Sequence, residues 1–122
     1  MDRDYRIGIF YTEETLRWLS EAVSGGIEEE GLLFSLQGLS DWDENAGPEQ
    51  FVNQVYEACC RAPLEIAIGV CRDEIFLCHK KLEKTERLFS IKTADMDAEK
   101  AKRFGQNAAR LIICRPLLEI GI

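Results

Sequence analysis

Only three residues, Cys71-Arg72-Asp73, separate two apolar runs of the sequence that have the character of β-strands. The first run extends from Leu64 to Val70, and the second extends from Glu74 to His79. So short a connection cannot cross over a sheet to join parallel strands, so these two strands must pair antiparallel in a hairpin. The hairpin excludes an all-parallel sheet.

The first half of the chain alternates between strand-like and helix-like patterns. Arg6 to Tyr11 is typical of a strand that is buried on both faces, and Leu32 to Gln37 is typical of a second strand. Between them, apolar residues recur at helical spacing over about 13–24, with Thr12 as the predicted N-cap. The helix can continue to Gly31, because glycine commonly follows the last turn of a helix.

The second half supplies two more helices and a fifth strand. A second helix is predicted from Pro48 to Arg61, because proline suits the first helical position and Pro63 resists continuation. A polar loop leads to the fifth strand, Arg87 to Ile91, and the last helix is predicted to end near Cys114. The residues that could cap its start are Thr93, Asp95 and Asp97.

Two features near the C-terminus carry further structural predictions. Gly105 lies in the helix interior, where glycine costs about 1 kcal/mol relative to alanine, and this indicates a close approach to another backbone. The apolar tail from Pro116 is predicted to be either an edge strand or a docking tail. Together the elements predict one domain, residues 1–122, with a three-layer α/β/α fold and a mixed sheet of about five strands.

The charge of the chain limits what it can bind. The formal net charge is −7 and the sequence pI is about 4.8, which argues against nucleic acid or an anionic membrane, since both need a basic patch. No apolar run approaches the length of a membrane span, and the N-terminal residues lack the apolar core of a signal peptide. The five cysteines form no C-x-x-C pair and are interpreted as reduced core thiols of a cytoplasmic protein.

The stretch Gly25-Gly26-Ile27-Glu28-Glu29-Glu30-Gly31 places three carboxylates between glycines, with no cation adjacent in the sequence. If the helix continues through this stretch, each carboxylate faces the negative end of the helix dipole, at a cost of roughly a few tenths of a kcal/mol. Two interpretations stay open, a solvated turn or a site that meets a cation. In the second, one carboxylate completes an oxygen-rich Mg²⁺ or Ca²⁺ site on another chain, or receives an Arg or Lys.

Catalytic motifs are weak in this sequence. The single histidine, His79, lies at a strand end without metal-ligand spacing, and Cys59 and Cys60 are adjacent and so point in different directions. No G-x-x-x-x-G-K-[ST] or G-x-G-x-x-G motif is present to hold nucleotide phosphates. The acidic loop 41–49 lacks the EF-hand pattern and is interpreted as solvated, with Trp42 either a lid over the core or an exposed contact. A binding or assembly subunit is therefore favoured over an enzyme.

Two motifs, in this order, resemble the small subunit of diol/glycerol dehydratase-reactivating factors. The first is Gly26-Ile27-Glu28-Glu29-Glu30-Gly31 followed by Phe34-x-Leu36-Gln37. The second is Gly105-x-Asn107-Ala108-Ala109-Arg110. The run Ala62-Pro63-Leu64, the hairpin strands and Leu88-Phe89 fit the same family, and the resemblance spans most of the chain.

This resemblance implies a chaperone-like function in which the small subunit itself is not catalytic. Reactivating factors release damaged cobalamin from adenosylcobalamin-dependent diol or glycerol dehydratase, so that intact coenzyme can enter. The large subunit of the factor is an ATPase that binds ATP and ADP, and the small subunit resembles the medium subunit of the dehydratase. In the family's model the small subunit leaves the large one, and the factor docks on the dehydratase large subunit in place of that medium subunit. A heterotetramer in the cytoplasm, or inside a bacterial microcompartment, is implied.

The resemblance also carries over individual residues. The middle glutamate of the family's acidic run contributes to a metal site at the interface with the large subunit, and in this chain that residue is Glu29. Glu28 and Glu30 form its acidic surroundings at the interface, and the metal is expected to be Mg²⁺ or Ca²⁺. Asn107 and Arg110 match the second motif and are further interface candidates; the alternative is that they cap or brace the end of the sheet. No cofactor is expected on this subunit itself.

Two other classes of protein stay open. The chain could be the medium subunit of a cobalamin-dependent dehydratase, or a domain of it. Such subunits carry a substantial segment before the shared domain, whereas this chain starts at once with a strand. An unrelated α/β ligand-binding module is the third possibility, which the two motifs together oppose.

Overall fold

The structure, a computed structural model, describes residues 5–38 and 48–120 of the chain. Within them, five strands and three α-helices follow one another in the predicted order. They are β1 (Ile7–Tyr11), α1 (Arg17–Glu29), β2 (Phe34–Gly38), α2 (Pro48–Arg61), β3 (Ile66–Val70), β4 (Glu74–His79), β5 (Phe89–Lys92) and α3 (Ala98–Ile112). Residues 41–47 of the predicted acidic loop, Trp42 among them, lie outside the described residues.

The five strands form a mixed sheet in the order β2-β1-β3-β4-β5. β1 pairs in parallel with both β2 and β3, so Gly8 lies opposite Ser35 on one side and Ala67 on the other. β4 pairs antiparallel with β3 and β5, and Val70 faces Ile75 across the predicted hairpin. The mixed sheet with one tight hairpin is therefore confirmed.

Helices cover both faces of the sheet and form two apolar cores. On one face, α1 and α3 pack over alternate strand residues such as Ile7, Ile9 and Ile68, which are fully buried. On the other face, α2 packs over the centre of the sheet, where the Phe51 and Phe76 rings meet edge to face with centroids 5.9 Å apart. Burial of each such side chain contributes about 1.5–3 kcal/mol, and it fixes the helices on the sheet. The three-layer α/β/α architecture is confirmed.

Glycines set the distance between α1 and α3. An alanine Cβ at Gly105 would lie 1.9 Å from the carbonyl oxygen of Val23, and one at Gly26 would lie 1.9 Å from the carbonyl oxygen of Lys102. Both distances are far below van der Waals contact, so the two backbones touch, as predicted for Gly105. The crossing fixes the last turns of α1 against the middle of α3.

The start of α1 differs from the prediction that Thr12 caps it. The Thr12 backbone N–H donates to the carbonyl oxygen of Val70 at 3.3 Å, so Thr12 continues the pairing between β1 and β3. A 3-10 turn, Glu14–Leu16, follows, and α1 begins at Arg17 without a side-chain cap. The hairpin loop explains the difference, because its Arg72 holds the Glu13 carboxylate at 3.0 Å. The hydrogen bond from Arg72 lowers the pKa of Glu13.

Four strands begin one or two residues later than predicted, β1 at Ile7, β2 at Phe34, β3 at Ile66 and β5 at Phe89. Turns in the preceding residues explain the shifts of β2 and β3. The Leu32 N–H closes α1 by donating to the carbonyl oxygen of Ile27 at 3.3 Å, so β2 begins at Phe34. Glu65 turns the chain with a φ of 66°, so β3 begins at Ile66.

The last helix follows the prediction at its start and ends earlier than predicted. Asp97, one of the three predicted caps, accepts the N–H of Lys100 at 2.8 Å. α3 ends at Ile112, and Cys114 then turns the chain with a φ of 60°. Residues 115–120 bond to side chains of α3, so the tail is a docking tail and not an edge strand of the sheet.

Candidate functional site

The acidic run forms the last turn of α1. Glu28 and Glu29 are its final residues, Glu30 is the C-cap, and Gly31 follows with a φ of 85°. The Gly31 N–H donates to the carbonyl oxygen of Glu28 at 2.9 Å, which with the Leu32 bond makes a Schellman ending. The sequence left open whether the helix continues through the acidic run, and the structure shows that it does. The three carboxylates stand at the negative end of the helix dipole.

α3 supplies the cation that stands beside Glu29. The Lys102 Nζ lies 2.8 Å from Glu29 Oε1, and the Gln106 side-chain amide donates to Glu29 Oε2 at 3.1 Å. The hydrogen bond that Lys102 donates to the Glu29 carboxylate raises the pKa of Lys102. The side chain of Glu29 is 48% exposed, so this pair is open to water and contributes little to stability.

Glu30 is bound more tightly than its neighbour. Its side chain is only 5% exposed, and it lies between the Arg110 Nε at 3.2 Å and the Arg115 guanidinium at 3.1 Å. Arg110 approaches Glu30 as an ion pair without a well-aligned hydrogen bond from Nε, whereas Arg115 donates one directly. A carboxylate this deep needs such partners, because an unpaired buried charge is strongly destabilising.

Glu28 is exposed, and its carboxylate has no ion pair or hydrogen bond with the described part of the chain. The three glutamates thus have three environments. Glu28 is exposed and unpaired within the described residues, Glu29 is half-exposed and weakly paired, and the Glu30 side chain is buried and neutralised by two arginines. Only Glu28 and Glu29 can reach a partner chain without a rearrangement of the fold.

A metal ion at this place would need ligands from another chain. Among residues 5–38 and 48–120, no group of three or more His, Cys, Asp or Glu side chains is arranged to hold a metal. A single carboxylate supplies at most two of the six to eight oxygens that Ca²⁺ takes. The role of Glu29 as a shared metal ligand stays a prediction.

Asn107 and Arg110 both hold the C-terminal segment. The Asn107 side chain donates to the carbonyl oxygen of Leu118 at 2.9 Å and accepts the Leu118 N–H at 2.7 Å. Arg110 donates to the carbonyl oxygen of Pro116 at 3.0 Å. Asn107 is buried within the chain, and its predicted role at an interface stays a prediction.

The two buried thiols lie between α2 and the sheet, on the opposite face of the sheet from α1 and its acidic run. Burial raises the pKa of Cys59 to about 12 and that of Cys78 to about 11. The five cysteines are free thiols, but Cys114 is exposed, so the prediction that all of them are core thiols is wrong for that residue. His79 ends β4, and its Nδ1 accepts the backbone N–H of Lys81 at 3.1 Å.

Sequence reasoning missed Lys102, Gln106 and Arg115 as partners of the acidic run. A signal was present, because Lys102, Gln106 and Arg110 recur every four residues and therefore share one face of a helix. Arg115 left no such signal, because its position depends on the turn at Cys114.

The chain belongs to the dehydratase medium subunit family, whose model matches residues 6–117. Within this family it is similar to the propanediol dehydratase-reactivating factor small subunit of Citrobacter freundii. The two are 32% identical over 94 residues, which make up 77% of this chain and 74% of that protein. The predicted resemblance to reactivating-factor small subunits is confirmed, and a small subunit implies a larger partner subunit.

Two solved structures share the fold. One is a diol dehydratase-reactivating factor complexed with ADP and Mg²⁺, with a TM-score of 0.77 and 26% identity over 95% of this chain and 99% of that chain. The other is a glycerol dehydratase reactivase, with a TM-score of 0.80 over 97% of this chain and 100% of that chain. At 21% identity this second similarity shows the fold alone. None of the helices in the described ranges is long and apolar enough to cross a membrane.

Proposed function

We propose that this chain is the small subunit of a reactivating factor for an adenosylcobalamin-dependent diol or glycerol dehydratase. The observation that carries the proposal is the 32% identity to the small subunit of a propanediol dehydratase-reactivating factor. The chain acts by binding and not by catalysis. It exchanges between the large ATPase subunit of the factor and the large subunit of the dehydratase, and damaged cobalamin leaves as a result. The complex works where the dehydratase is, in the cytoplasm or in a bacterial microcompartment.

The nucleotide belongs to the large subunit. The related solved factor is complexed with ADP and Mg²⁺, and the present sequence contains no phosphate-binding glycine motif. ATP and ADP therefore act through the large subunit, and this chain responds by assembly and release.

A reactivation assay tests the proposal. Dehydratase that has been inactivated by glycerol is mixed with ATP, Mg²⁺ and fresh adenosylcobalamin. Activity should return when the large subunit and this chain are both added, and the chain alone should restore none. Full reactivation by the large subunit without this chain would contradict the proposal.

The second candidate is the medium subunit of the dehydratase itself, and the name of the matching family favours it. The two candidates differ in what the chain assembles with. A medium subunit would co-purify with the other dehydratase subunits in equal amounts and would be required for diol turnover by fresh enzyme. A reactivase subunit would co-purify with the ATPase, and fresh dehydratase would turn over without it.

We also propose that Glu29 is the ligand that this chain contributes to a Mg²⁺ or Ca²⁺ site shared with the large subunit. Its carboxylate is half-exposed, and its partner Lys102 is itself 39% exposed, so the pair can open at little cost. Glu28 and Glu30 add negative charge beside the metal. Arg110 and Asn107 contribute to the same interface by holding this surface in position.

The change Glu29→Gln should weaken binding to the large subunit at least tenfold, because a neutral amide is a poor ligand for a hard cation. Glu28→Gln is the matched control, since it removes the same charge from the neighbouring exposed position. Calorimetric titration of both variants with the large subunit measures the difference. Equal effects of the two changes would show that charge, and not ligation, is what the partner recognises.

A further inference from the structure

The C-terminal segment Arg115–Ile120, called the strap below, is recognised by α3 through its backbone. Asn107 makes two hydrogen bonds to the N–H and carbonyl of Leu118, the pairing that a neighbouring β-strand would make. Arg110 and Arg103 donate to the carbonyl oxygens of Pro116 and Glu119 at 3.0 and 3.3 Å. Arg103, Asn107 and Arg110 lie on one face of α3, so the helix presents a row of groups suited to an extended peptide.

The strap is held mainly by polar contacts. Leu117 is 46% exposed, and Pro116 and Glu119 are exposed as well. Leu118 and Ile120 are half-buried, and Ile120 packs against the core beneath α1 and α3. A segment with so few buried apolar contacts opens locally at a much lower cost than the core. Asn107, in contrast, is almost fully buried, and release of the strap would leave its amide without these partners.

The strap also reaches the acidic run. Arg115, its first residue, is one of the two arginines on the buried Glu30 carboxylate. Arg110 is the other, and it divides its guanidinium between Glu30 and the Pro116 carbonyl of the strap. Docking of the strap therefore brings one positive charge to the acidic run, and its release removes that charge.

We propose that α3 carries a binding site for an extended peptide backbone, that the strap fills it in cis, and that this docking sets the charge of the acidic run. With the strap docked, Lys102, Arg110 and Arg115 balance the three glutamates. With the strap released, the run carries one net negative charge and binds a divalent cation or a basic partner surface more strongly. Since linkage is reciprocal, a partner bound at the acidic run loosens the strap. This last step rests on the proposed function, whereas the docking and its coupling to Glu30 do not.

Hydrogen exchange of the Leu118 amide tests the docking and the coupling in the isolated chain. The amide should exchange about tenfold faster in Asn107→Ala, which loses both side-chain hydrogen bonds to Leu118. It should also exchange about tenfold faster in Glu30→Gln, which loses the ion pair that holds Arg115. Glu28→Gln and Leu117→Ala are the controls and should leave the exchange unchanged. An unchanged rate in Glu30→Gln would overturn the coupling.

A conservative variant separates the loss of these contacts from misfolding. Asn107→Asp in the full-length chain keeps an acceptor for the Leu118 N–H and loses the donor to the Leu118 carbonyl, so the Leu118 amide should exchange at a rate between those of the unchanged chain and Asn107→Ala. Equal rates in the unchanged chain and in both variants would overturn the binding site.

Affinity for the large subunit in the presence of Mg²⁺ tests the regulatory step. Arg115→Gln should bind roughly fivefold more tightly than the unchanged chain, as expected for one charge near a divalent ion. If the unchanged chain binds and this variant binds equally well, regulation by the strap is wrong and the proposed function stands. If the unchanged chain does not bind at all, the proposed function fails together with the regulatory step, while the exchange measurements still decide the binding site.

Discussion

At the scale of single residues, the two adjacent glycines of α1 differ in how closely other atoms approach their Cβ positions. Gly26 is required by packing, because its Cβ position is occupied by the backbone of Lys102 in α3. Among the residues that the structure describes, nothing lies within 4 Å of the Cβ position of Gly25, so packing against them does not require it. Gly31 is required by conformation, since it takes a positive φ after the last turn.

Alanine substitutions should therefore separate the two neighbours. Gly25→Ala should raise the free energy of unfolding by about 1 kcal/mol, because alanine is the better helix former and meets no obstacle. Gly26→Ala should lower it by about 1–3 kcal/mol, because the helices must move apart. Urea unfolding monitored by circular dichroism measures both. A gain in stability for Gly26→Ala would show that the two backbones do not touch.

The cysteines differ in reactivity for reasons of burial. At neutral pH, iodoacetamide should label the exposed Cys114 first and the buried Cys59 and Cys78 last, because a thiol with a pKa of about 11 or 12 forms almost no thiolate. Mass spectrometry after partial labelling gives the order. Rapid labelling of Cys59 in the native state would show that α2 opens readily from the sheet.

The raised pKa values of these buried thiols predict a loss of stability at alkaline pH. An unfolded thiol titrates near 9.0, below the raised pKa of Cys59 in the folded chain, so the unfolded state loses its proton first as the pH rises. The contribution is fully present below pH 9 and is lost between 9 and about 12. The free energy of unfolding, measured with urea at a series of alkaline pH values, should show this fall. The fall should be smaller in Cys59→Ala. An equal fall in the variant would assign the effect to other groups.

At the scale of elements, the last turn of α1 is stabilised by another helix against its own dipole. Three carboxylates at a helix C-terminus are unfavourable locally. Lys102 and Arg110 of α3, with Arg115 beyond its end, supply the opposite charge. The contact between α1 and α3 thus combines a close glycine crossing with a row of ion pairs at one end.

Glu30→Gln should destabilise the chain by about 1–3 kcal/mol, because it leaves two arginines beside a buried neutral amide. Glu28→Gln, the exposed control, should change the free energy of unfolding by less than about 0.5 kcal/mol. Thermal unfolding of the two variants makes the comparison. Equal stability would mean that Glu30 is solvated and not held between the arginines.

At the scale of the whole molecule, the proposed metal site at Glu29 needs ligands from a partner chain, because the described residues hold no group of three or more His, Cys, Asp or Glu side chains arranged for a metal. Chelation should therefore act through Glu29. Added EDTA should weaken assembly of the unchanged chain with the large subunit, and it should have little further effect on Glu29→Gln, because the ligand is already lost. Co-purification with and without EDTA measures this. A further loss in the variant would place the metal elsewhere in the complex.

Much of this architecture could be predicted from local patterns. The start of α2 and both limits of β4 were predicted to the residue, and the end of α2 was predicted to lie near Arg61, where it is found. A proline at each helix boundary and the short hairpin are strong local signals. The start of α1 was predicted wrongly, because Thr12 continues the pairing of β1 with β3 and Glu13 binds Arg72 of the hairpin loop. No local pattern contains those two contacts.

By itself, the sequence determined the order of the elements and the antiparallel hairpin, and it marked Gly31 as a glycine that could follow the last turn of α1. These depend on periodicity, connection length and the φ that glycine permits, all of which are local properties. Only the tertiary structure decided what the three glutamates meet. Gln106 lies 77 residues beyond Glu29 and Arg115 lies 85 beyond Glu30, and the packing of α3 on α1 brings them together. The acidic run is unfavourable in its own helix, and this packing places its three carboxylates in different environments. One is exposed, one is half-exposed and weakly paired, and one is buried.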